Sequence, residues 1–221
     1  MLTLWLASLR RITKNMITMK KFLILTILAA FIAANASADD GYFRKKHRAF
    51  SYSSMEMSSG GQALKNNYGA AFTSTRTYYL HEDPIAGFMK FGIDATWIDL
   101  SYNNYSTTVL VEDEGLVDSQ LHQAEIGLQA GISLTFNPVD KLNVAIYGRY
   151  APTFSASYST ADATILGGYM GYIVAGGRIS YSFIGLGAEY RSGSGEMNDF
   201  LEGGNSPLQM KGFRAYISFS F

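Results

Sequence analysis

The sequence predicts an all-β fold of eight antiparallel strands, and three observations lead to this prediction. Residues 210–221 alternate between an apolar row, which includes Ile217 and Phe219, and a row of small or polar side chains. Alternation with a period of two is the pattern of a β-strand. Similar segments recur upstream, and the connections between them differ in length in a regular order.

The first 38 residues have the features of a secretory signal peptide. A basic pair at residues 20–21 precedes an apolar run at 22–34, and residues 36–38 form a small-x-small cleavage site. The apolar run is shorter than the ~20 residues that a membrane-spanning helix needs. We therefore predict export and cleavage after residue 38, with Met16 and Met19 as alternative starts.

Composition excludes several classes of partner and site. The leader carries five of the 18 Lys and Arg and none of the 18 Asp and Glu, so its removal leaves a net charge of −5. An acidic chain lacks the basic face that nucleic acid requires, so no nucleic-acid partner is predicted. The sequence contains no cysteine, which excludes disulfides, thiolate metal sites and a cysteine nucleophile. After residue 38 no apolar run is long enough for a spanning helix, so only a β-barrel could embed the mature chain in a membrane.

The first half of the mature chain contains four predicted strands after a polar lead-in at residues 39–48. The strands at 49–58 and 67–80 contain Tyr and other strand-favouring residues but alternate poorly, so their register is left open. The strand at 89–97 alternates cleanly. The strand at 123–136 alternates over a length that exceeds the ~9–11 residues a tilted strand needs to cross a bilayer.

The second half contains four more strands. The strand at 142–149 follows an Asn-Pro-Val-Asp turn, and the strands at 165–183 and 184–191 join with almost no gap. The last strand is residues 210–221. The connections run longer, short, long, short, long, short, long, and the long polar ones are residues 99–119, 152–164 and 192–209.

The chain resembles the small eight-stranded outer-membrane β-barrels of Gram-negative bacteria, the family typified by OmpX and the membrane domain of OmpA. The resemblance covers residues 49–221 and includes a final strand with the aromatic residues Phe219 and Phe221. It implies an eight-stranded antiparallel transmembrane barrel in the outer membrane, with short periplasmic turns and longer extracellular loops. It also implies contact with lipid and lipopolysaccharide, and recognition of Phe219 and Phe221 by the barrel assembly machinery. A water-soluble β-sandwich is the alternative.

The polar row of the predicted strands carries charges at mid-strand positions. An eight-stranded barrel has an interior just wide enough for side chains to fill. Because unpaired charges are costly there, we expect these residues to form a structural network of ion pairs. The predicted network consists of Lys90, Asp94, Glu125, Arg149, Arg178, Glu189, Arg191 and Arg214.

The sequence favours a non-enzymatic surface protein that acts through its extracellular loops. The three histidines are far apart, and the acidic run at residues 112–114 is typical of a solvated loop, so no catalytic, metal or cofactor residue is predicted. Two alternatives remain open: a lipid A-modifying enzyme and a small gated channel. Deacylases of the first kind pair a His with a Ser on the final strands, whereas residues 165–221 contain no His.

Overall fold

The structure is a computed structural model that describes residues 43–111, 115–160, 164–199 and 205–221. Within these residues the predicted all-β fold is confirmed. The strands are β1 (Lys46–Ser59), β2 (Gln62–Tyr79), β3 (Met89–Val111), β4 (Gly115–Val139), β5 (Leu142–Ser159), β6 (Ile165–Tyr181), β7 (Ile184–Asp199) and β8 (Asn205–Ser220). The predicted signal peptide and the acidic run at 112–114 lie outside the described residues.

The eight strands close into one antiparallel barrel. Each strand pairs with its neighbours in sequence, and β8 pairs with β1, where His47 lies opposite Ser220. Closure removes the unpaired edges that an open sheet would expose. We call the end of the barrel that contains His47 and Ser220 the near end, and the opposite end the far end. No helix that is long and apolar enough to cross a membrane occurs in the described ranges.

Three polar segments predicted as long connections are mostly strand, and this part of the prediction is wrong. β3 and β4 extend through most of 99–119 and pair as far as Val111 opposite Gly115. β5 runs to Ser159, and β7 and β8 occupy most of residues 192–209. Polar side chains lie on both faces of these segments, so the apolar alternation that reveals a half-buried strand is missing although the backbone pairs.

Most of the connections that remain are short, and the one between β2 and β3 is the exception. Residues 60–61 join β1 to β2 with φ values of 56° and 82°, the left-handed pair typical of a two-residue hairpin turn. Residues 140–141 join β4 to β5, and residues 182–183 join β6 to β7. The connection from β2 to β3 takes residues 80–88. The first two connections therefore reverse the predicted order of long and short, whereas the later ones follow it.

A bulge in β3 changes which side chains face the interior. Thr96 lies opposite Gln129, but the next pair is Asp99 opposite Gly127, so β3 holds one extra residue. Trp97 and Ile98 consequently both point outward and are exposed. The bulge shifts the alternation by one residue and turns the side chain of Asp99 into the barrel.

The outer face of the barrel is apolar and the inner face is largely polar. Ile132 is 71% exposed and Leu186 is 65% exposed, whereas neighbouring inward residues such as Gln129 are almost fully buried. Exposed apolar side chains occur on all eight strands and form a continuous band. Exposure of such an apolar band to water is unfavourable, whereas contact with the acyl chains of a bilayer is favourable. The barrel is therefore a transmembrane barrel.

Tyrosines mark the limit of the apolar band towards the far end. Those that face outward there include Tyr52, Tyr68, Tyr158, Tyr169 and Tyr190. Beyond them the outer face becomes polar, and an ion pair of 3.1 Å joins Lys211 to Glu56. At the near end Arg76 also faces outward and lies over the ring of Tyr78. Amphipathic rings and long cations at these levels suit the interface between lipid and water.

Candidate functional site

The barrel interior is filled by a central layer of ion pairs around Asp99. Arg191 donates to Oδ2 of Asp99 at 2.9 Å, and Arg214 donates to its Oδ1 at 2.9 Å. Gln129 Nε2 donates to the same carboxylate at 2.8 Å. All four side chains are almost completely buried. One carboxylate thus compensates two guanidinium groups, and charge-assisted bonds of this length are among the stronger hydrogen bonds in proteins.

A second ion pair lies on the near-end side of this layer. Arg149 donates through Nε and NH2 to Oδ2 of Asp94, at 3.0 and 2.6 Å. Thr77 and Ser133 donate to the other oxygen of Asp94. Arg149 NH1 also donates to Oε1 of Gln129 at 3.3 Å. Gln129 therefore links this pair to the central layer.

The two glutamates of the interior have different partners. Glu189 lies 3.6 Å from NH1 of Arg214 and accepts a hydrogen bond of 3.0 Å from Tyr147. Glu125 accepts hydrogen bonds from the hydroxyls of Ser101 and Tyr172, at 2.8 and 2.6 Å. Neutral donors therefore satisfy Glu125, whereas Glu189 also faces a cation.

The structure brings most of the predicted network together and changes its membership. Ion pairs and the bonds of Gln129 connect five of the eight predicted residues into one cluster: Asp94, Arg149, Glu189, Arg191 and Arg214. Asp99 is the carboxylate that sequence reasoning missed, because the long strand was taken for a loop. Two consecutive apolar residues, Trp97 and Ile98, were the available signal of a bulge that would turn Asp99 inward. Glu125 and Arg178, which were also predicted as network members, are interior, but their hydrogen bonds are with Ser101, Tyr172 and His47 and not with an opposite charge.

Lys90 lies outside the interior network, which corrects the prediction. It is the second residue of β3 and therefore lies at the near-end rim. Its ammonium group lies over the rings of Phe43 and Tyr79, at 4.9 and 5.5 Å, and donates to the backbone carbonyl of Glu82. Arg44 donates to the carbonyl of Ser220 at 2.7 Å. The segment before β1 therefore packs against the near-end rim.

An apolar cluster fills the interior towards the far end. It contains four buried methionines together with Tyr105, Tyr172 and Leu208; the methionines are Met55, Met170, Met197 and Met210. Gln123 Nε2 donates to the sulfur of Met210 at 3.2 Å, and the hydroxyl oxygen of Tyr172 lies 3.1 Å from the same sulfur. Flexible thioether side chains fill irregular gaps well. The cluster therefore closes the lumen on the far-end side of the ion pairs.

A small polar cavity lies on the near-end side of the ion pairs. Its volume is about 30 Å³, which is room for about two or three water molecules. Its lining includes His47, Asp94, Arg149, Arg178, Glu189 and Ser218. The space between the near-end rim and the central layer is thus polar and narrow.

Barrel closure brings a histidine to a serine, a contact that the sequence did not predict. Nδ1 of His47 lies 3.0 Å from Oγ of Ser220, and Arg178 NH2 lies 3.2 Å from Nε2. Because a guanidinium group only donates, Nε2 must accept from Arg178. In a neutral imidazole Nδ1 then carries the proton and donates to Ser220. This histidine cannot accept the serine proton, so the pair lacks the arrangement that activates a serine nucleophile.

The structure also bears on the metal-ligating groups and on the two aromatics of the predicted assembly signal. No cluster of three or more His, Asp and Glu side chains suited to a metal ion occurs among the described residues. Phe219 is half-buried near the end of β8, and Phe221 follows the last strand residue. The recognition of these two aromatics by the assembly machinery stays a prediction.

Comparison with known proteins gives similarity only to solved structures. No protein-family model matches the sequence, and no curated protein matches it. The attachment invasion locus protein Ail of Yersinia pestis, in complex with the heparin analogue sucrose octasulfate, is 10% identical, with a TM-score of 0.47 over 81% of this chain and 100% of that one. Neisserial surface protein A is 12% identical, with a TM-score of 0.46 over 80% of this chain and 97% of that one.

The outer-membrane protease OmpT of Escherichia coli is 8% identical, with a TM-score of 0.45 over 80% of this chain and 97% of that one. Similarity at these levels transfers no ligand or activity, and the architecture of this chain rests on its own strand pairing and apolar outer face. In fold the chain resembles the small eight-stranded β-barrels of outer membranes, as its sequence predicts.

Proposed function

We propose that this chain is a non-enzymatic outer-membrane protein whose closed barrel holds a binding surface at the far end. The observation that carries the proposal is the filled interior. The ion pairs around Asp99 and the methionine cluster lie one behind the other along the barrel axis. An eight-stranded ring of this kind leaves no aqueous bore.

The far end supplies the surface. Pairing between β2 and β3 extends only to Asn66 opposite Tyr105, and pairing between β4 and β5 only to Leu121 opposite Ser159. Beyond these residues β3 and β4 continue as a two-stranded ribbon as far as Val111 opposite Gly115. The backbone at the ribbon's two edges can pair with an extended segment of another protein, a common mode of peptide recognition.

The surroundings of the barrel follow from its outer face. The apolar band contacts lipid. With the far end outside the cell, the polar wall beyond the tyrosines lies at the level of the lipopolysaccharide head groups. The signal peptide takes the chain across the inner membrane, and the last strand directs assembly of the barrel.

The closed interior predicts that the purified protein conducts poorly. In planar bilayers we expect no steady conductance at moderate voltage, because side chains occupy the lumen at two successive levels. Stepwise, sustained conductance from the folded protein would contradict this prediction and would favour the alternative of a small gated channel. Heat-dependent mobility on gels identifies the folded fraction in the same preparation.

The orientation can be tested because the sequence contains no cysteine. Thr108→Cys places a thiol on the exposed ribbon at the far end, and Asp140→Cys places one in a near-end turn. A membrane-impermeant maleimide should label Thr108→Cys on intact cells, and Asp140→Cys only after the outer membrane is permeabilised. The reverse pattern would place the near end outside and would refute the proposed surface.

A further inference from the structure

A groove indents the outer wall of the barrel across β6, β7 and β8, towards the far end. Its volume is about 410 Å³, which is within the ~300–1,000 Å³ of small-molecule sites. Gly171, Ser192 and Ser194 lie on its floor, and Gly171 is directly opposite Ser194 in the pairing of β6 with β7. The wall is indented because these outward-facing residues have no side chain or a small one. We call this depression the wall groove.

The near-end rim of the wall groove is apolar. Ile173, Tyr190 and Phe213 are outward residues on the three strands at this rim, and all are exposed. The ring centroids of Tyr190 and Phe213 lie 4.9 Å apart. These residues belong to the lipid-facing band, so the groove opens directly onto the surface that acyl chains cover.

Two tyrosines border the wall groove on its β5 side and on its far-end side. Tyr169 is the outward residue before Gly171, and its hydroxyl lies 2.5 Å from that of Tyr150. A Cβ atom at Gly171 would come within 2.8 Å of the Tyr150 hydroxyl, so this side chain reaches the floor. Aromatic faces carry partial negative charge and attract the weakly positive C–H groups of a sugar ring. The groove therefore has aromatic rings at its edges and hydroxyls on its floor.

The charge of the wall groove argues against a phosphate ligand. Among the described lining residues only Lys211 is charged, and its ammonium nitrogen lies 3.1 Å from Oε1 of Glu56. Because this cation is compensated, no net positive charge remains to select an anion. Ser192 and Ser194 are exposed, and a hydroxyl both donates and accepts hydrogen bonds. The floor therefore suits a neutral ligand that carries several hydroxyl groups.

We propose that the wall groove binds the sugar head group of a glycolipid, whose acyl chains lie against the apolar band at the near-end rim. A phospholipid would place its phosphate beside a cation that is already paired. An acyl chain alone would leave the floor hydroxyls without partners and would cover them at a cost. The orientation proposed above puts the groove in the outer leaflet, so the leaflet that supplies the glycolipid rests on that proposal.

Lipid retention tests the proposal on the mature wild-type barrel. The barrel is placed in phosphatidylcholine nanodiscs that contain either monoglucosyl diacylglycerol or phosphatidylglycerol with the same acyl chains. Native mass spectrometry then counts the lipids that stay bound. One glucosyl lipid should remain on each barrel, whereas phosphatidylglycerol should be lost. Equal retention of the two lipids, or tight binding of soluble methyl glucoside, would overturn the proposal.

A pair of matched variants locates the bound lipid. Ser194→Phe fills the floor of the wall groove and should abolish retention of the glucosyl lipid. Ser106→Phe makes the same change at an exposed position of β3, four strands away, and should keep it. Phenylalanine favours strands, and heat-dependent gel mobility checks that both barrels are folded. Undiminished retention in folded Ser194→Phe would overturn the site.

Removal of the floor hydroxyls tests their role without filling the space. Ser192→Ala/Ser194→Ala should weaken retention of the glucosyl lipid, and unchanged retention would contradict the hydrogen bonding proposed for the floor. Nanodiscs expose the barrel to the same lipid in both leaflets, so these results do not depend on the orientation. Reversed maleimide labelling would refute the far-end binding surface alone, and a negative nanodisc result would refute the wall groove alone.

Discussion

Asp99→Asn is expected to destabilise the folded barrel by ~3–5 kcal/mol, because it leaves two buried arginines without their shared counterion. The asparagine has nearly the same shape, so the loss reports charge more than packing. Arg214 keeps Glu189 at 3.6 Å, whereas Arg191 has no other acidic contact in the described chain. Urea titration in lipid vesicles, with heat-dependent gel mobility as the measure of folding, gives the free energy of unfolding.

Asp140→Asn is the matched control for this substitution. Asp140 is exposed in the turn between β4 and β5, so its neutralisation should change the free energy of unfolding by no more than ~0.5 kcal/mol. The double variant Asp99→Asn/Arg191→Gln should lose less than the sum of the single variants, because it removes both charges of one contact. Strict additivity, or equal effects at the two aspartates, would contradict the central role given to Asp99.

Leu128→Arg is expected to destabilise the inserted barrel by ~2–4 kcal/mol, because it moves a charge into the lipid-facing band. Leu128 is 51% exposed on the outer face of β4. Gln209→Arg is the control: Gln209 also faces outward, but it lies in the polar wall near Lys211. Unfolding titrations of both variants in the same vesicles measure the effect. A similar loss at the two positions would contradict the proposed limit of the apolar band.

Much of the fold could be predicted because two-residue alternation determines which face of a strand is apolar. The clear alternation of residues 123–136 places Leu128 outside and Gln129 inside, and the structure has the same arrangement. Barrel closure also follows from a final strand that resembles those of outer-membrane barrels. Strand limits were less predictable, because segments with polar side chains on both faces carry no apolar alternation.

The interior was harder to predict than the wall, for two physical reasons. A bulge adds one residue to a strand, so every later residue faces the opposite side from the one that alternation predicts. For this reason only the structure identified Asp99 as an interior residue. Contacts across the barrel also join residues that are far apart in sequence, as in His47 with Ser220. Two-residue alternation predicts that such side chains face the interior, but it does not determine which of them contact each other. The methionine cluster was missed because Met55 lies in a strand with weak alternation.

The β3 bulge places an indole ring against the acyl chains, because Trp97 is exposed on the outer face. The sequence has two tryptophans, and the other, Trp5, belongs to the predicted signal peptide. Cleavage at the predicted site would leave the mature barrel with a single tryptophan, in contact with lipid. Its emission, and its quenching by brominated acyl chains, would follow the depth of insertion without any introduced label.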